Sequence, residues 1–176
     1  MSSPVHVRPA RASDVDAIQA MLAPEVDAGT VLPRVVQPHE FLVAELGGEL
    51  VGVVAMSQWT TEVVELGALV STQRGRGVGR RLVRAVLERA TTDGFRSVVA
   101  LTSIDRWFVR LGFVPHSAAP WELASRQPML VTRSEPHLDA AVCWKASAVC
   151  AGCARLAQCR QRMMVRSVSM PSRQVA

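Results

Sequence analysis

The amino-acid sequence predicts an α/β protein of the α+β layered kind, with helices packed on one mixed sheet. Three observations predict it. Apolar runs separated by turn residues follow one another between residues 41 and 70. An amphipathic helix follows from Val78, and strand and helix patterns then alternate up to residue 117. Strand runs combined with crossover helices are typical of layered sheets of mixed strand direction.

The N-terminal part predicts one strand and one helix. Val5–Ala10 alternates apolar and polar side chains, as a half-buried strand does. Ser13 is the predicted N-cap of the helix that follows, with Asp14 in its first turn, where a carboxylate suits the helix dipole. Pro24 predicts that this helix breaks into a loop or a second short helix.

Three consecutive strands are predicted next. Phe41–Leu46 and Glu49–Trp59 are apolar runs joined by Gly47-Gly48, which is a strong signal for a hairpin. Val63–Val70 is the third strand, and its continuous apolar character indicates burial on both faces.

The second half alternates between helix and strand. Apolar residues recur four apart from Val78, and Gly94 is the expected end of that helix. Ser97–Thr102 predicts a buried strand, and Asp105–Gly112 predicts a short helix before another extended segment.

Composition separates the chain into a body and a basic C-terminal part. Residues 141–176 carry six basic residues and no acid, so residues 1–140 carry a net charge of −1. We divide the chain into a domain at 1–140, a cysteine-rich extension at 141–165 and a disordered tail at 166–176. Nucleic acid is an unfavoured partner, because no aromatic residue lies among the arginines of this part to stack on a base.

No apolar run is long enough to cross a membrane, so we expect no membrane contact. The N-terminus has no apolar segment of the kind found in signal peptides. Four cysteines without such a segment indicate the cytoplasm.

The stretch RGRGVG, directly before the amphipathic helix, is the strongest functional motif. Gly75, Gly77 and Gly79 allow a tight turn that brings backbone N–H groups close to a ligand, while Arg74 and Arg76 add positive charge. No Gly-Lys-Ser/Thr follows, which excludes a Walker loop, and no βαβ unit opens here, which argues against a dinucleotide fingerprint. A diphosphate is the expected ligand, with a plain strand-to-helix loop as the alternative.

These residues resemble the GNAT acetyltransferase superfamily. RGRGVG matches its pattern Arg/Gln-x-x-Gly-x-Gly/Ala, and WFVRLGFVP is similar to its late helix and F-x-x-x-GF-x-P ending. The resemblance covers about residues 5–117 and implies the GNAT fold, a mixed and mostly antiparallel sheet flanked by helices, with acetyl-CoA as donor. The cofactor-binding residues that it implies are Leu69, Val70, Arg74, Gly75, Arg76, Gly77, Val78, Gly79 and Arg80.

A closer resemblance is to bacterial N-acetylglutamate synthase domains. DAGTVLPR and VALTSIDRWFVRLGF are similar to their L-x-x-R and LTT…FF…GF segments. The resemblance implies that Arg34 holds a substrate carboxylate and that Thr102, Ser103 and Arg106 complete the substrate-binding set. The alternatives are a surface arginine and ordinary hydroxyls at the end of a strand.

Acetyl transfer to an amine needs a base, donors that stabilise the oxyanion, and a source of the proton that the thiolate leaving group takes up. Glu65 is the candidate base, with a plain strand glutamate as the alternative, and backbone N–H groups near Leu69 and Val70 are the expected oxyanion donors. Many GNAT enzymes place a tyrosine on the late helix as acid, but this chain has no tyrosine and carries Phe108 there. Ser103 or water is the remaining proton source.

The four cysteines could hold a metal. They are spaced as one C-x-x-C pair with two outlying residues, namely Cys143, Cys150, Cys153 and Cys159. A [4Fe–4S] cluster is slightly favoured, Zn²⁺ is the second option, and small buried thiols without metal are the third.

The leading hypothesis is an acetyl-CoA-dependent enzyme that acetylates a small amino acid, with glutamate favoured and a homodimer left open. Two alternatives stay open. One is a GNAT enzyme for another small-molecule amine or a protein N-terminus. The other is a metal-stapled regulatory or nucleic-acid-binding module that senses acetyl-CoA.

Overall fold

A computed structural model describes residues 4–116 and 161–168 of the chain. They form one sheet of seven strands in the order β1-β2-β3-β4-β5-β7-β6. The strands are β1 (His6–Pro9), β2 (Phe41–Leu46), β3 (Glu49–Gln58), β4 (Val63–Ser71), β5 (Ser97–Thr102), β6 (Val114–Pro115) and β7 (Arg162–Ser167). The α-helices are α1 (Val15–Asp27), α2 (Val78–Thr92) and α3 (Asp105–Val109). The β4–β5 pair is parallel and the other five described pairs are antiparallel, which confirms the predicted mixed, mostly antiparallel sheet.

The helices cover both faces of this sheet because the strands alternate their buried side chains. On one face, α2 buries the apolar stripe that its sequence period predicts, and Phe108 of α3 joins the same cluster. On the other face, Ile18 and Leu22 of α1 pack on β2 and β3. Gly94 ends α2 as predicted, with a φ of +86° that favours glycine.

Gly52 lets α2 approach the sheet closely. A Cβ atom at this position would lie 2.7 Å from Cγ1 of Val78 and 3.0 Å from Cδ1 of Leu82. The first turn of α2 therefore sits directly on β3, and this contact fixes the height of the RGRGVG loop above the sheet.

Two local predictions about α1 are wrong. Ser13 lies inside a 3₁₀ turn (Ala12–Asp14), and the Asp14 carboxylate instead accepts the Arg11 backbone N–H at 2.7 Å. The helix also does not break at Pro24 but continues to Asp27. Proline removes only one backbone donor, and the packing of Ile18 and Leu22 carries the helix past it.

The predicted boundaries fail for residues 162–167. Sequence analysis divides them between the cysteine-rich extension and the disordered tail, but they form β7, a strand inside the sheet. Met163, Met164 and Val165 are all buried, so this segment completes the core. The four cysteines thus precede a core strand in the chain, between β6 and β7. They and the predicted division at residue 140 lie outside the described residues.

Two of the six basic residues of the C-terminal part serve the fold. Arg162 forms an ion pair with Asp105 at 3.2 Å, and the Arg166 guanidinium donates to the Leu111 carbonyl. Both contacts join β7 to the segment that contains α3. No helix in the described ranges is both long and apolar enough to cross a membrane.

Candidate active site

The central feature of the site is the point where β4 and β5 part. The two strands pair in register from Val63 and Ser97 as far as Leu66 and Ala100, and β4 then continues to Ser71 paired with β3 alone. The register between β3 and β4 shifts in this same part of β4, opposite Val53 to Ala55. A bulge of this kind turns a strand and its backbone groups, and bulges are common beside active sites.

Ala68 marks the bulge, with a φ of +46° that is unusual for a residue other than glycine. The bulge reverses which face the following side chains occupy, since Leu69 packs with the α2 cluster and Val70 with the α1 cluster. The predicted oxyanion donors, the N–H groups of these two residues, lie directly after it.

The RGRGVG loop joins β4 to α2 and presents its backbone to solvent. Gly75 and Gly77 have φ angles of +79° and +75°, and no atom lies within 4 Å of where their Cβ atoms would be. Gly77 is the N-cap of α2, so the unpaired N–H groups of the first helical turn follow it. The loop is an open, donor-rich cradle at a positive helix end, which fits a diphosphate.

Arginines surround this cradle, and each of them is exposed. Arg74, Arg76 and Arg80 form no ion pair with any residue in the two described ranges. Val78 is buried beneath them and anchors the loop to the core. Gly79 faces the indole of Trp107, whose nearest ring atom would lie 3.5 Å from an added Cβ. This contact holds α3 beside the loop end of α2.

Glu65 is buried on the face opposite α2. It is 8 % exposed, and its Oε2 accepts a hydrogen bond from Nε1 of Trp59 at 2.9 Å. Its second oxygen, Oε1, would lie 3.7 Å from a Cβ added to Gly67, the residue at which β4 leaves β5. The carboxylate therefore lies on the sheet face beside Gly67, the first residue of β4 beyond its pairing with β5.

Arg34 lies on the segment between α1 and β2. Its Nη2 donates to Oε2 of Glu40 at 2.5 Å and to Oγ of Ser57 at 3.2 Å, and its guanidinium stacks over the Phe41 ring. Its Nε is buried without a hydrogen-bond partner. A buried donor of this kind is costly to leave unpaired, but it is closed to solvent. The capacity of the guanidinium for a further anion lies instead with Nη1, which makes no hydrogen bond to a described residue.

Ser57 connects Arg34 to Glu65. It is the cross-strand partner of Glu65, so both side chains lie on the same face of the sheet. The predicted carboxylate clamp and the predicted base are therefore neighbours at one sheet face, separated by a single strand spacing.

The remaining predicted residues are not gathered at this point. Oγ1 of Thr102 accepts the Ile104 N–H at 3.0 Å, so part of its hydrogen-bonding capacity serves a turn. Ser103 is exposed beside it, and Arg106 lies exposed on α3, which packs on the other face from Arg34. Phe108, in the place of the family's tyrosine, is buried against Phe113 with ring centroids 5.1 Å apart.

Comparison with protein families decides the class. The model of the Acetyltransferase (GNAT) family matches residues 20–113, which hold the C-terminal part of α1, the RGRGVG loop and the point where β4 and β5 part. The chain belongs to this family. It is an acetyl-CoA-dependent N-acetyltransferase of the GNAT type, as the family resemblance implies.

Similar proteins share the fold over different lengths. An uncharacterized N-acetyltransferase of Chlorobaculum tepidum is 29 % identical over 114 residues, 61 % of this chain and 74 % of that protein. Rv2747 from Mycobacterium tuberculosis, solved with CoA, is 23 % identical with a TM-score of 0.66 over 93 % of this chain and 99 % of its own.

A second similar structure is N-acetylglutamate synthase from Neisseria gonorrhoeae, solved with coenzyme A and N-acetylglutamate. It is 20 % identical with a TM-score of 0.68, and the match covers 96 % of this chain but 36 % of the synthase chain. The chain thus spans about a third of the synthase, and this likeness shows the fold alone.

Three residues that contact the predicted base or clamp were not among the predicted site residues, namely Trp59, Ser57 and Glu40. Trp59 and Ser57 stand at the end of the predicted strand Glu49–Trp59, and their role depends on the β3–β4 register. A polar Ser57 at the end of an apolar run was the one signal available. The described residues contain no cluster of three or more potential metal ligands, and the cysteines lie outside them.

Proposed function

We propose that the chain transfers the acetyl group of acetyl-CoA to the α-amino group of a small amino acid, with glutamate as the favoured acceptor. One observation carries this proposal. The Arg34 guanidinium bonds to Ser57, the cross-strand neighbour of the buried Glu65, and Glu65 lies two residues before the point where β4 leaves β5.

The donor would be held by the loop and the strand. The pyrophosphate would accept hydrogen bonds from the N–H groups that follow Gly75 and Gly77, with Arg74 and Arg76 supplying charge. The pantetheine would lie along β4 beyond Leu66, where that strand has left β5. The thioester carbonyl would then meet the N–H groups near Leu69 and Val70, which stabilise a developing oxyanion.

The acceptor would be held by Arg34. Its Nη2 is already engaged by Glu40 and Ser57, which fix the plane of the guanidinium. A substrate carboxylate would bind Nη1, which makes no hydrogen bond to a described residue. The negative charge of Glu40 would repel a substrate carboxylate that approached the guanidinium from the side of Glu40.

The chemistry follows from these positions. Glu65 would take a proton from the ammonium, directly or through water, because only the free amine attacks the thioester. Attack of the amine would form the N–C bond and leave the negative charge on the thioester oxygen. The C–S bond would break as the carbonyl re-forms, and the nitrogen would release its second proton to water. The thiolate leaves as CoA and gains a proton from water or from Ser103, since Phe108 offers none.

The test mixes purified protein with acetyl-CoA and a panel of amines while released thiol is measured. The panel contains glutamate, glutamine, aspartate, other amino acids, an aminoglycoside and a peptide with a free N-terminus. We expect glutamate to support the highest kcat/KM. Release with other amines and none with acidic amino acids would refute the amino-acid proposal and favour the alternative GNAT acceptors.

Replacement of Arg34 tests the clamp directly. Arg34→Gln should raise KM for glutamate about 10- to 100-fold, since charge-assisted hydrogen bonds contribute about 1.5–3 kcal/mol. KM for acetyl-CoA should stay within about twofold, because that ligand binds elsewhere. Arg84→Gln, an exposed arginine of α2, is the matched control. Equal effects of both variants on glutamate would refute the clamp.

We also propose a cytoplasmic location and, for the cysteines, a [4Fe–4S] cluster or Zn²⁺ in the segment between β6 and β7. Anaerobic purification followed by metal analysis tests this, and a brown chromophore near about 400 nm would mark the cluster. Purified protein that contains neither iron nor zinc, and in which a thiol assay detects four free cysteines, would refute it.

A further inference from the structure

We propose that Glu40 is a specificity-determining residue of the acceptor site: by pairing with Arg34, it limits how much negative charge the acceptor can carry. The inference rests on the proposed role of Arg34 as the carboxylate clamp, and it narrows the class of acceptor that this clamp takes. It adds a residue that neither the loop motif nor the resemblance indicates.

Arg34 and Glu40 form a close ion pair that is only partly exposed. Nη2 of Arg34 donates to Oε2 of Glu40 at 2.5 Å, and the two side chains are 25 % and 28 % exposed. Neither side chain forms an ion pair with any other residue of the described ranges. Because the two opposite charges offset each other, an approaching acceptor meets a neutral pair and not a free cation.

The backbone on both sides of Glu40 is held in place. The Glu40 N–H donates to the Gln37 carbonyl at 2.9 Å and closes a short 3₁₀ turn. Nη2 of Arg89, on α2, donates to the His39 carbonyl of the same turn at 3.1 Å. Phe41, the next residue, is fully buried, and its ring centroid lies 5.1 Å from Cζ of the guanidinium. These contacts favour one arrangement of the pair, so the carboxylate of Glu40 stays beside the clamp.

The donors of the guanidinium are not equally accessible to an acceptor. Nη2 is shared by Glu40 and Ser57, and Nε is closed to solvent. Nη1 makes no hydrogen bond to a described residue, so it is the donor left for a substrate carboxylate. A carboxylate on Nη1 gains a charge-assisted hydrogen bond, but it shares one guanidinium with the carboxylate of Glu40.

A second carboxylate on the same acceptor is in a different position. It finds no further accessible donor on Arg34, while the negative charge of Glu40 repels it. Glutamate and glutamine differ by one such charge and have similar shapes. Loss of the Glu40 charge should therefore favour glutamate over glutamine, whichever carboxylate of glutamate binds Nη1. The pair keeps the preference for glutamate smaller than a lone arginine would give.

Glu40→Gln tests this role, because the glutamine amide oxygen can still accept the hydrogen bond from Nη2 of Arg34. The ratio of kcat/KM for glutamate to kcat/KM for glutamine should rise about 3- to 10-fold at low salt, as expected for removal of one like-charge repulsion at a partly exposed site. The rise should shrink at about 0.5 M salt, because salt screens the charge. KM for acetyl-CoA should stay within about twofold of the parent value, since that ligand binds elsewhere. A residue that only supported the fold would change both acceptors alike and leave the ratio unmoved.

Glu88→Gln is the matched control. It removes the same charge from an exposed residue of α2, on the sheet face opposite Arg34. The ratio should change by about 1.5-fold or less in this variant, because distant exposed charges are screened. An equal rise in both variants would show that net charge sets the ratio, and it would overturn the proposal.

The remaining outcomes separate this inference from the proposed function. If the parent protein acetylates glutamate and Glu40→Gln leaves the ratio unchanged, the role of Glu40 is refuted while the proposed function stands. If the parent protein acetylates neither glutamate nor glutamine, the proposed function fails, and the role of Glu40 fails with it.

Discussion

Arg8 binds two carboxylates at the edge of the sheet. It donates from Nη1 to Oδ2 of Asp14 at 2.7 Å and from Nε to Oε1 of Glu45 at 2.9 Å, and its side chain is 12 % exposed. These hydrogen bonds lower the pKa of Asp14 to about 2 and also lower the pKa of Glu45. The cluster ties β1 and β2 to the turn that begins α1.

Replacement of Arg8 by methionine should destabilise the protein and change its response to acid. A carboxyl whose folded pKa lies below its unfolded value stabilises the fold above about pH 4, and that contribution is lost as the pH falls towards about 2. For Asp14 the stability lost on acidification is about 1–2 kcal/mol, a value that includes screening by solvent at the edge of the sheet.

Urea unfolding between pH 7 and pH 2.5 measures both effects. The parent protein should lose stability steeply below about pH 4. Arg8→Met should begin less stable at pH 7 and show a flatter or reversed slope, because its buried Asp14 then favours protonation. The exposed Arg84→Met is the control. Parallel curves for Arg8→Met and the parent would contradict the argument.

At this scale the sequence predicts glycines better than side-chain pairs. Gly75, Gly77 and Gly94 carry positive φ angles, and a backbone that requires glycine leaves a mark in the sequence. The pair Trp59 and Glu65 leaves no such mark. It depends on the turn after β3 and on the register with β4, which only the folded backbone fixes.

At the scale of elements, α2 and its loop act as one unit. Gly77 begins the helix, Val78 anchors it, and Gly52 on β3 leaves the space in which it sits. The arginines of the loop add charge at an end that is already positive. Binding of coenzyme A should therefore depend on where a positive charge lies along the helix and not only on the net charge.

Charge reversal at Arg74 tests this dependence. Arg74→Glu should raise the dissociation constant of coenzyme A about 10-fold or more at low salt, since a like charge next to a diphosphate costs on the order of 1–2 kcal/mol. Arg84→Glu makes the same change in net charge two helical turns further on, and it should have at most about a twofold effect. Calorimetric titrations at two salt concentrations provide the measurement.

The salt series discriminates further. The difference between the two variants should shrink as salt rises, because exposed charges are screened. If both variants bind coenzyme A equally weakly, net charge governs binding, and the position of a charge in the loop has no separate effect.

The elements that sequence reasoning predicted well are those with long or repeated patterns. The hairpin around Gly47-Gly48 and the stripe of α2 appear as predicted. The errors concern α1 beyond Pro24 and the strand β7. In both elements, burial in the folded protein overrides a weak local signal. The packed helix α1 tolerates Pro24 in its interior. The strand β7 has only six residues and carries basic residues, so its sequence pattern alone is weak.

At the scale of the whole domain, β7 completes the sheet next to the functional opening. It pairs with β5 over six residues, from Ser97 and Ser167 to Thr102 and Arg162. It also pairs with β6, so it lies between two strands that precede it by far in the chain. Because β5 forms one wall of the opening, the site depends on a strand that is distant in sequence. A division of the chain by composition could not find this dependence.

Truncation tests whether residues 161–168 belong to the domain. A chain ending at residue 160 lacks β7 and should lose cooperative unfolding and coenzyme A binding. Three side chains buried in β7 would each contribute about 1.5–3 kcal/mol, a sum comparable to the whole stability of a small domain.

A chain ending at residue 168 keeps every described residue and should unfold cooperatively near the midpoint of the full chain. Thermal unfolding followed by circular dichroism compares the three chains. If the chain ending at 160 unfolds like the full one, β7 is dispensable and the predicted boundary within 141–176 is restored.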